Sequence, residues 1–306
     1  MRLLNTKTLE LKYFAQSPEE AYAILSHTWG EDEVLFSDAE NLSSGLWNSW
    51  SLAKTLSAEK IRAAAALAAS RRFRYIWVDT CCIDKSSSTE LSEAVNSMFK
   101  WYQAARICFA YLSDVNPPEE SQTKGVSFQN ARWFSRGWTE LIAPPEVEFY
   151  DAEWKLLGDR SSLVDVIHHT TKVHRNLLRP VRPRDWYSWY PSGPVVDEYP
   201  VSEIFIWAKS RETTRGEDIA YCLMGLFGVN MPLLYGEGKE NALLRLQRNI
   251  ISSCNDHSIL LHADSAPLAK SLSEFNYKCS KEVRGTLGHS DRQFLLLLLC
   301  NANRVQ

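Results

Sequence analysis

Four short strand-like segments, separated by helical patterns, set the strongest limit on how this chain can fold. Tyr22–Leu25, Tyr75–Val78 and Ile107–Leu112 are apolar throughout, and Val147–Tyr150 follows them with the same aromatic character. Strands without a polar alternate face are typical of a parallel sheet that is buried on both sides. Strands that alternate with helices therefore predict an α/β fold with a doubly wound, mainly parallel sheet flanked by helices.

The segments between the strands carry helix signals of different kinds. Ala58–Arg72 is rich in alanine and predicts a helix by propensity. Ser87 and Glu90 have the spacing of a capping box at the start of the next helix. The acidic segment Glu31–Asp38 predicts a surface loop. Further predicted elements are a strand at Leu9–Tyr13, a long loop at Asn41–Ser51, a short helix closed by Pro144 and Pro145, and a helix at Ser161–Val173.

The second half of the chain changes character and predicts an appended helical segment. We predict an α/β core over residues 1–173, a connector and helical segment over 174–261, and an unpatterned, poorly ordered tail over 262–306. The expected helices are Glu203–Lys209, a helix behind a Thr214–Glu217 capping box with Gly228 as its stop, and Gly238–Ser252.

Composition excludes several classes of function. A net charge of −3 over 306 residues gives no electrostatic footprint for nucleic acid. The apolar run Phe294–Cys300 is too short to span a membrane, and the N-terminal residues have no apolar core of signal-peptide length. Seven cysteines without a C-x-x-C pair predict neither a disulfide framework nor a metal site. These features together predict a protein of the reducing cytoplasm.

Polar side chains follow the predicted parallel strands, where ligands bind in such sheets. Ser26 and His27 end the first strand, and Asp79 ends the second. Ser26 and His27 are candidates for contact with a ribose or a phosphate. It is equally consistent with the sequence that the Ser26 hydroxyl stabilises a turn and that the hydrogen bonds of His27 are made within the protein. Asp79 is a candidate for substrate contact or for capping the following turn.

Two other patterns suggest chemistry that we do not adopt. His27 with Cys81 or Cys82 would suit a thiol hydrolase, but nothing signals a lowered thiol pKa. The segment Gly236–Lys239 superficially resembles a phosphate loop, but it lacks that motif's glycine spacing and the hydroxyl residue after the lysine.

A set of ordered motifs resembles the fungal heterokaryon-incompatibility (HET) domain over about residues 1–261. The motifs include A-I-L-S-H-T-W-G, I-W-V-D-T-C-C-I-D-K, R-G-W-T-E-L-I-A-P, E-V-E-F-Y-D and M-P-L-L-Y-G-E-G. This resemblance implies a role in self/non-self recognition and in programmed cell death after fungal cell fusion. It also implies protein partners or self-association.

The order of strands and of S-R-G-W-T-E-L is also similar, more distantly, to the Toll/interleukin-receptor (TIR) fold. That resemblance implies a TIR-like core and NAD as a possible substrate, with Glu140 as the catalytic carboxylate. Trp138 or Trp29 would then hold the base, with Ser26, His27 and Asp79 as further substrate-binding residues. Three residues separate the tryptophan from the glutamate in those families, whereas Thr139 alone does so here.

Two hypotheses therefore remain open for this chain. One is a module that acts through protein assembly, and the other is an NAD-cleaving enzyme that uses Glu140. Two fewer residues turn a helix by about 200°, so Trp138 and Glu140 do not both keep their family positions. No cofactor and no metal is expected for either hypothesis.

Overall fold

The computed structural model describes residues 1–16, 18–40, 52–116, 128–136, 139–179, 199–260, 262 and 268–275, with the backbone alone at 52–55 and 139–140. The chain divides into two compact units, Met1–Tyr190 and Pro191–Gln306. The boundaries expected after residues 173 and 261 remain predictions. The predicted loop at Asn41–Ser51 lies outside the described residues.

The first unit is built on a seven-stranded sheet, counted over the described part of the chain. The strands follow the order β2-β1-β4-β3-β5-β6-β7. The four central strands β4, β3, β5 and β6 are parallel to one another, and β2, β1 and β7 pair antiparallel with their neighbours. The strands are β1 Arg2–Asn5, β2 Leu11–Tyr13, β3 Ala23–His27, β4 Tyr75–Val78, β5 Ile107–Tyr111, β6 Val147–Tyr150 and β7 Leu156–Asp159.

The apolar character of the central strands explains their position. Every residue of β3 and of β4 is buried, because both faces of the sheet are covered. The predicted α/β class with a mainly parallel sheet is confirmed. The strands β1 and β7 were not predicted, because four-residue segments that mix apolar and polar residues leave little pattern in the sequence.

Helices connect the strands of the first unit. In the helix Ser88–Ala104, the side chains of Ala94, Phe99 and Tyr102 are buried. A 3₁₀ turn, Arg132–Ser135, precedes α5. The helices are α1 Phe36–Glu40, α2 Leu52–Ser70, α3 Asp79–Cys82, α4 Ser88–Ala104, α5 Thr139–Ile142, α6 Val164–Thr171 and α7 Arg175–Leu178.

Two local predictions in this unit need correction. The acidic segment is not simply a surface loop, since Glu33 is 6% exposed and α1 begins at Phe36. Ser87 does cap α4, because its hydroxyl accepts a hydrogen bond from the backbone of Glu90. The second hydrogen bond of a capping box, from the backbone N–H of Ser87 to the Glu90 carboxylate, is wrong. That carboxylate accepts from the backbone N–H of Asp84 instead.

The strand order reverses its direction at β3. From β3 the chain passes through α2 to β4 on one side, and then through α4 to β5 on the other side. Ligands bind beyond the carboxyl ends of strands at such a reversal. The hydroxyls of Thr28 and Ser113, which follow β3 and β5, are 3.2 Å apart there.

The second unit is helical where it is described. Gly228 ends α10 in the left-handed conformation, at a φ of 64°, so the predicted stop is confirmed. Residues 268–275, in the part of the chain predicted to be unpatterned, include the buried Phe275. The helices are α8 Val201–Ala208, α9 Asp218–Tyr221, α10 Met224–Phe227 and α11 Lys239–Ser253, with 3₁₀ turns at His257–Leu260 and Leu272–Glu274.

The predicted capping box at Thr214 and Glu217 is wrong. Glu217 is itself the residue that precedes α9, and that helix end has no side-chain cap. The Glu217 carboxylate instead accepts hydrogen bonds from the backbone N–H groups of Gly236 and Gly238, at 2.9 and 3.1 Å. The loop that superficially resembles a phosphate loop therefore binds an anion supplied by its own chain.

Candidate functional site

The carboxyl ends of β3 and β4 bring together three of the predicted site residues. β3 ends at His27, and Trp29 follows two residues later. Asp79 comes directly after the last residue of β4. Because the two strands are parallel neighbours, these side chains emerge at the same edge of the sheet.

The Asp79 carboxylate is the centre of this cluster. Its Oδ2 atom accepts a 2.8 Å hydrogen bond from the indole Nε1 of Trp29. Its Oδ1 atom lies 4.0 Å from Nδ1 of His27. Asp79 is also the first residue of α3, whose preceding residue Val78 makes no side-chain cap. The Asp79 carboxylate is thus directed to Trp29 and His27 rather than to capping.

His27 lies between two carboxylates. Its ring is fully buried, and Nε2 is 3.6 Å from Oε2 of Glu33, an electrostatic contact that is too long for a hydrogen bond. Glu33 also accepts from the Ser57 hydroxyl at 2.7 Å and from the Lys60 ammonium at 2.6 Å. Burial by itself raises the pKa of Glu33, but the His27 ring and the Lys60 charge outweigh burial and hold that pKa well below its usual range.

Lys85 belongs to the cluster although sequence reasoning did not select it. Its ammonium lies 3.5 Å from the centroid of the Trp29 ring, and that tryptophan is 39% exposed. Burial lowers the pKa of Lys85, and the Asp79 carboxylate partly offsets that effect. The only signal in the sequence is that this lysine closes the segment I-W-V-D-T-C-C-I-D-K.

Ser26 points away from this cluster. Its hydroxyl accepts a 2.8 Å hydrogen bond from Nε1 of Trp133, and both residues are buried. Successive residues of a strand point to opposite faces, so Ser26 and His27 cannot serve the same side of β3. Trp133 packs edge-on against Phe149 of β6, so the Ser26 contact lies within an aromatic part of the core.

The predicted catalytic segment is held by a buried arginine. Arg160 donates from Nη1 to the carbonyl of Leu141 at 2.7 Å and from Nη2 to the carbonyl of Pro145 at 3.0 Å. Burial lowers the pKa of Arg160 to about 10. The backbone of Glu140 lies in α5, but its side chain and all of Trp138 lie outside the described residues. The roles predicted for both remain predictions.

Within the described ranges, no group of three or more His, Cys, Asp or Glu side chains is placed to hold a metal ion. None of the helices found there combines the length and the apolar composition needed to cross a bilayer.

Residues 22–127 match the family model described as Heterokaryon incompatibility protein (HET). The chain carries a HET domain. Vegetative incompatibility protein HET-E-1 of Podospora anserina is 44% identical over 237 residues, which are 75% of this chain. Those residues are 16% of that protein, so the chain spans a small part of its relative. No solved structure gives a significant match.

The HET domain match covers the whole cluster from His27 to Lys85 and the strands β3, β4 and β5 that position it. The predicted membership of the fungal HET family is therefore confirmed. Sequence similarity also extends beyond the matched domain, since the aligned 237 residues are more than twice the length of residues 22–127. The likeness to TIR domains remains a resemblance of sequence order.

Proposed function

We propose that this chain is a fungal vegetative-incompatibility module, which recognises non-self after cell fusion and triggers programmed cell death. The observation that carries the proposal is its 44% identity to vegetative incompatibility protein HET-E-1. That identity extends over 75% of the chain and so reaches beyond the HET domain match.

The module acts through protein assembly, in the cytoplasm, with protein partners or with other copies of itself. The buried free thiols of Cys81, Cys82 and Cys108 support a reducing compartment. The cluster of Trp29, Asp79 and Lys85 supports a contact site at the sheet edge, because an exposed aromatic side chain lies there beside charged groups.

Enforced assembly in living cells tests the cell-death part of this proposal. The full chain is fused to a chemically inducible dimerisation domain and expressed in a fungal host, and cell viability is followed with a vital dye. We expect death only after the dimeriser is added, and a reduced response in Trp29→Ala. Tyr13→Ala removes an aromatic side chain that is 67% exposed on β2, and it serves as the matched control. Full viability despite accumulated, assembled protein would refute the proposal.

The alternative is NAD cleavage by Glu140, with Trp138 or Trp29 holding the base. A second experiment distinguishes this enzyme from the assembly module. The purified chain is incubated with NAD, with and without the dimeriser, and nicotinamide release is measured by chromatography. The assembly proposal predicts no release in either condition. Release that disappears in Glu140→Gln but persists in Glu10→Gln, a change at an exposed carboxylate, would establish the enzyme instead.

A further inference from the structure

We infer that two copies of this chain exchange residues 268–275, so that this segment of one copy binds the second unit of the other. We call residues 268–275 the strap. We call the surface on which they pack, formed by Phe205 of α8 and Gln247 of α11, the strap site. The inference rests on the assembly proposed above, for which it names the partner and the contacts, but its test does not measure cell death.

The strap is anchored both by apolar side chains and by its main chain. Phe275 stacks on the ring of Phe205, and the main chain of Ala269 makes two hydrogen bonds with the Gln247 side chain. Neither contact requires that the strap and the strap site belong to one polypeptide, so the strap of a second copy makes the same contacts. The buried residues of the strap are Leu268, Ala269, Leu272 and Phe275.

The strap also carries local structure of its own. Ser271 and Glu274 form a capping box at the 3₁₀ turn Leu272–Glu274. The Ser271 hydroxyl accepts from the backbone N–H of Ser273 at 3.2 Å, and the Glu274 carboxylate accepts from the backbone N–H of Ser271 at 3.0 Å. These hydrogen bonds move with the strap, so an exchange keeps them while the contacts with the strap site are broken and remade.

A strap site without a strap is unfavourable. The Gln247 side chain is completely buried, and departure of the strap removes the Ala269 N–H from which its carboxamide oxygen accepts. The buried ring of Phe205 loses its stacked partner at the same time. A buried acceptor without a donor and a newly exposed apolar ring both destabilise an open form. Exchange in pairs leaves no strap and no strap site empty, and it closes a two-fold dimer.

The contacts at the rim favour a second copy over an unrelated peptide. The Lys270 ammonium lies 3.6 Å from the Glu240 carboxylate on α11, and both side chains are more than half exposed. A competing peptide would need a cation here and an aromatic anchor five residues later, as the strap has in Lys270 and Phe275. A second copy of the chain carries both groups at the required spacing.

Cross-linking of the unmodified full chain tests the exchange. Equal amounts of unlabelled and isotope-labelled chain are mixed at high concentration, warmed to just below the unfolding transition and cooled. A carbodiimide then joins the side chains of Lys270 and Glu240, which are close enough for a zero-length link. In a fully exchanged dimer, about half of the Lys270–Glu240 peptides carry one labelled and one unlabelled part, because the copies pair at random. Chains mixed only after cross-linking give the background.

Two outcomes of this experiment overturn the inference. One is a chain that stays monomeric, with every Lys270–Glu240 peptide of a single label. The other is a dimer in which these peptides still come from single chains, since another surface then joins the copies. Exchange without cell death would refute only the proposed cell-death function, whereas cell death without exchange would refute only this inference.

A pair of defective variants gives a second test. Phe275→Ala has a defective strap and an intact strap site, whereas Gln247→Leu has an intact strap and cannot bond the main chain of Ala269. An exchanged dimer of the two variants contains one intact strap on one intact strap site. We expect the mixture to form this dimer in native mass spectrometry and to unfold at a higher temperature than either variant alone. A mixture that unfolds as the sum of its parts overturns the inference. If Phe275→Ala fails to fold by circular dichroism, the cross-linking of the unmodified chain decides.

Discussion

Glu33 illustrates how a single carboxylate ties a loop to the body of the HET domain. It accepts from the backbone of Gly30 within its own loop, and from Ser57 and Lys60 of α2. Two of these donors lie on α2, so the charge of Glu33 joins its own loop to that helix. A buried carboxylate with this many donors is held in its charged form.

This arrangement predicts a pH-dependent contribution to stability. Because the folded-state pKa of Glu33 is depressed, its contribution is present above the unfolded pKa of about 4.3 and is lost as the pH falls below that value. We expect Glu33→Gln to lower the free energy of unfolding by about 2–3 kcal/mol near neutral pH, the contribution of hydrogen bonds to a charged group. Urea unfolding at a series of pH values measures this loss.

The same series provides its own control. The wild-type chain should lose stability between about pH 5 and pH 3 more steeply than Glu33→Gln, since the variant has no carboxylate to protonate at this position. Glu10→Gln, at an exposed position, should follow the wild-type curve. Parallel curves for wild type and Glu33→Gln would contradict the assigned role of this carboxylate.

Individual site residues were predictable to different degrees. The strand ends predicted that His27 and Asp79 would lie at one edge of the sheet, where the structure places them, whereas Trp29 was selected through the TIR resemblance. Ser26 was predicted beside His27, but strand periodicity places it on the opposite face, where its hydroxyl contacts Trp133. Lys85 was not found, because the turn that brings it over Trp29 depends on tertiary packing and leaves no periodic pattern.

At the scale of elements, α5 depends on a residue far from it in sequence. This helix has only four residues, too few to be stable by its own hydrogen bonds. Arg160, which follows β7, donates to carbonyls at its end and at Pro145. A cation at the carboxyl end of a helix is also favoured by the helix dipole.

We predict that Arg160→Met destabilises this region strongly. The substitution leaves buried carbonyls without a donor, at a cost of about 2–4 kcal/mol in the free energy of unfolding. Chemical denaturation followed by tryptophan fluorescence measures the loss. Arg175→Ala removes an arginine from the exposed pair with Asp165, and as a control it should cost less than about 1 kcal/mol. Similar losses of unfolding free energy for both variants would contradict the role of Arg160 as the donor that holds α5.

Elements were predicted well where one local signal dominates. β4 matches its prediction at both ends, because four apolar residues form a strand buried on both faces. The end of α10 at Gly228 follows from the left-handed conformation that glycine adopts readily. The Thr214–Glu217 spacing predicted a capping box that does not form. The Glu217 carboxylate accepts hydrogen bonds from the backbone N–H groups of Gly236 and Gly238 instead.

At the scale of the whole molecule, the second unit recruits residues from the part of the chain predicted to be unpatterned. Phe275 is fully buried and stacks on Phe205 of α8 with ring centroids 4.6 Å apart. The HET-like motifs end near residue 261, so the core of this unit includes a side chain beyond them. Sequence reasoning missed this because a single aromatic residue in a polar stretch has no periodicity.

We predict that Phe275→Ala destabilises the second unit by about 3–5 kcal/mol, the usual cost of removing a buried phenylalanine side chain. Differential scanning calorimetry of the full chain should show the corresponding fall in an unfolding transition. Leu234→Ala, at a residue that is 50% exposed, is the matched control and should change stability by less than about 1 kcal/mol. An unchanged transition in Phe275→Ala would show that the unit is complete without this segment.

The contact between Gln247 and Ala269 fixes the path of the backbone at the start of residues 268–275. The Gln247 side chain donates to the carbonyl of Ala269 at 2.7 Å and accepts from its backbone N–H at 3.1 Å. A carboxamide carries the same donor and acceptor as a peptide group. The Gln247 side chain on α11 therefore pairs with the backbone of Ala269 as a residue of a neighbouring β-strand would. These two hydrogen bonds recognise the main chain at position 269 and do not depend on the polarity of its side chain. Relatives can therefore vary the residue at 269 within the limits of volume, whereas a glutamate at 247 would set a negative oxygen against a carbonyl.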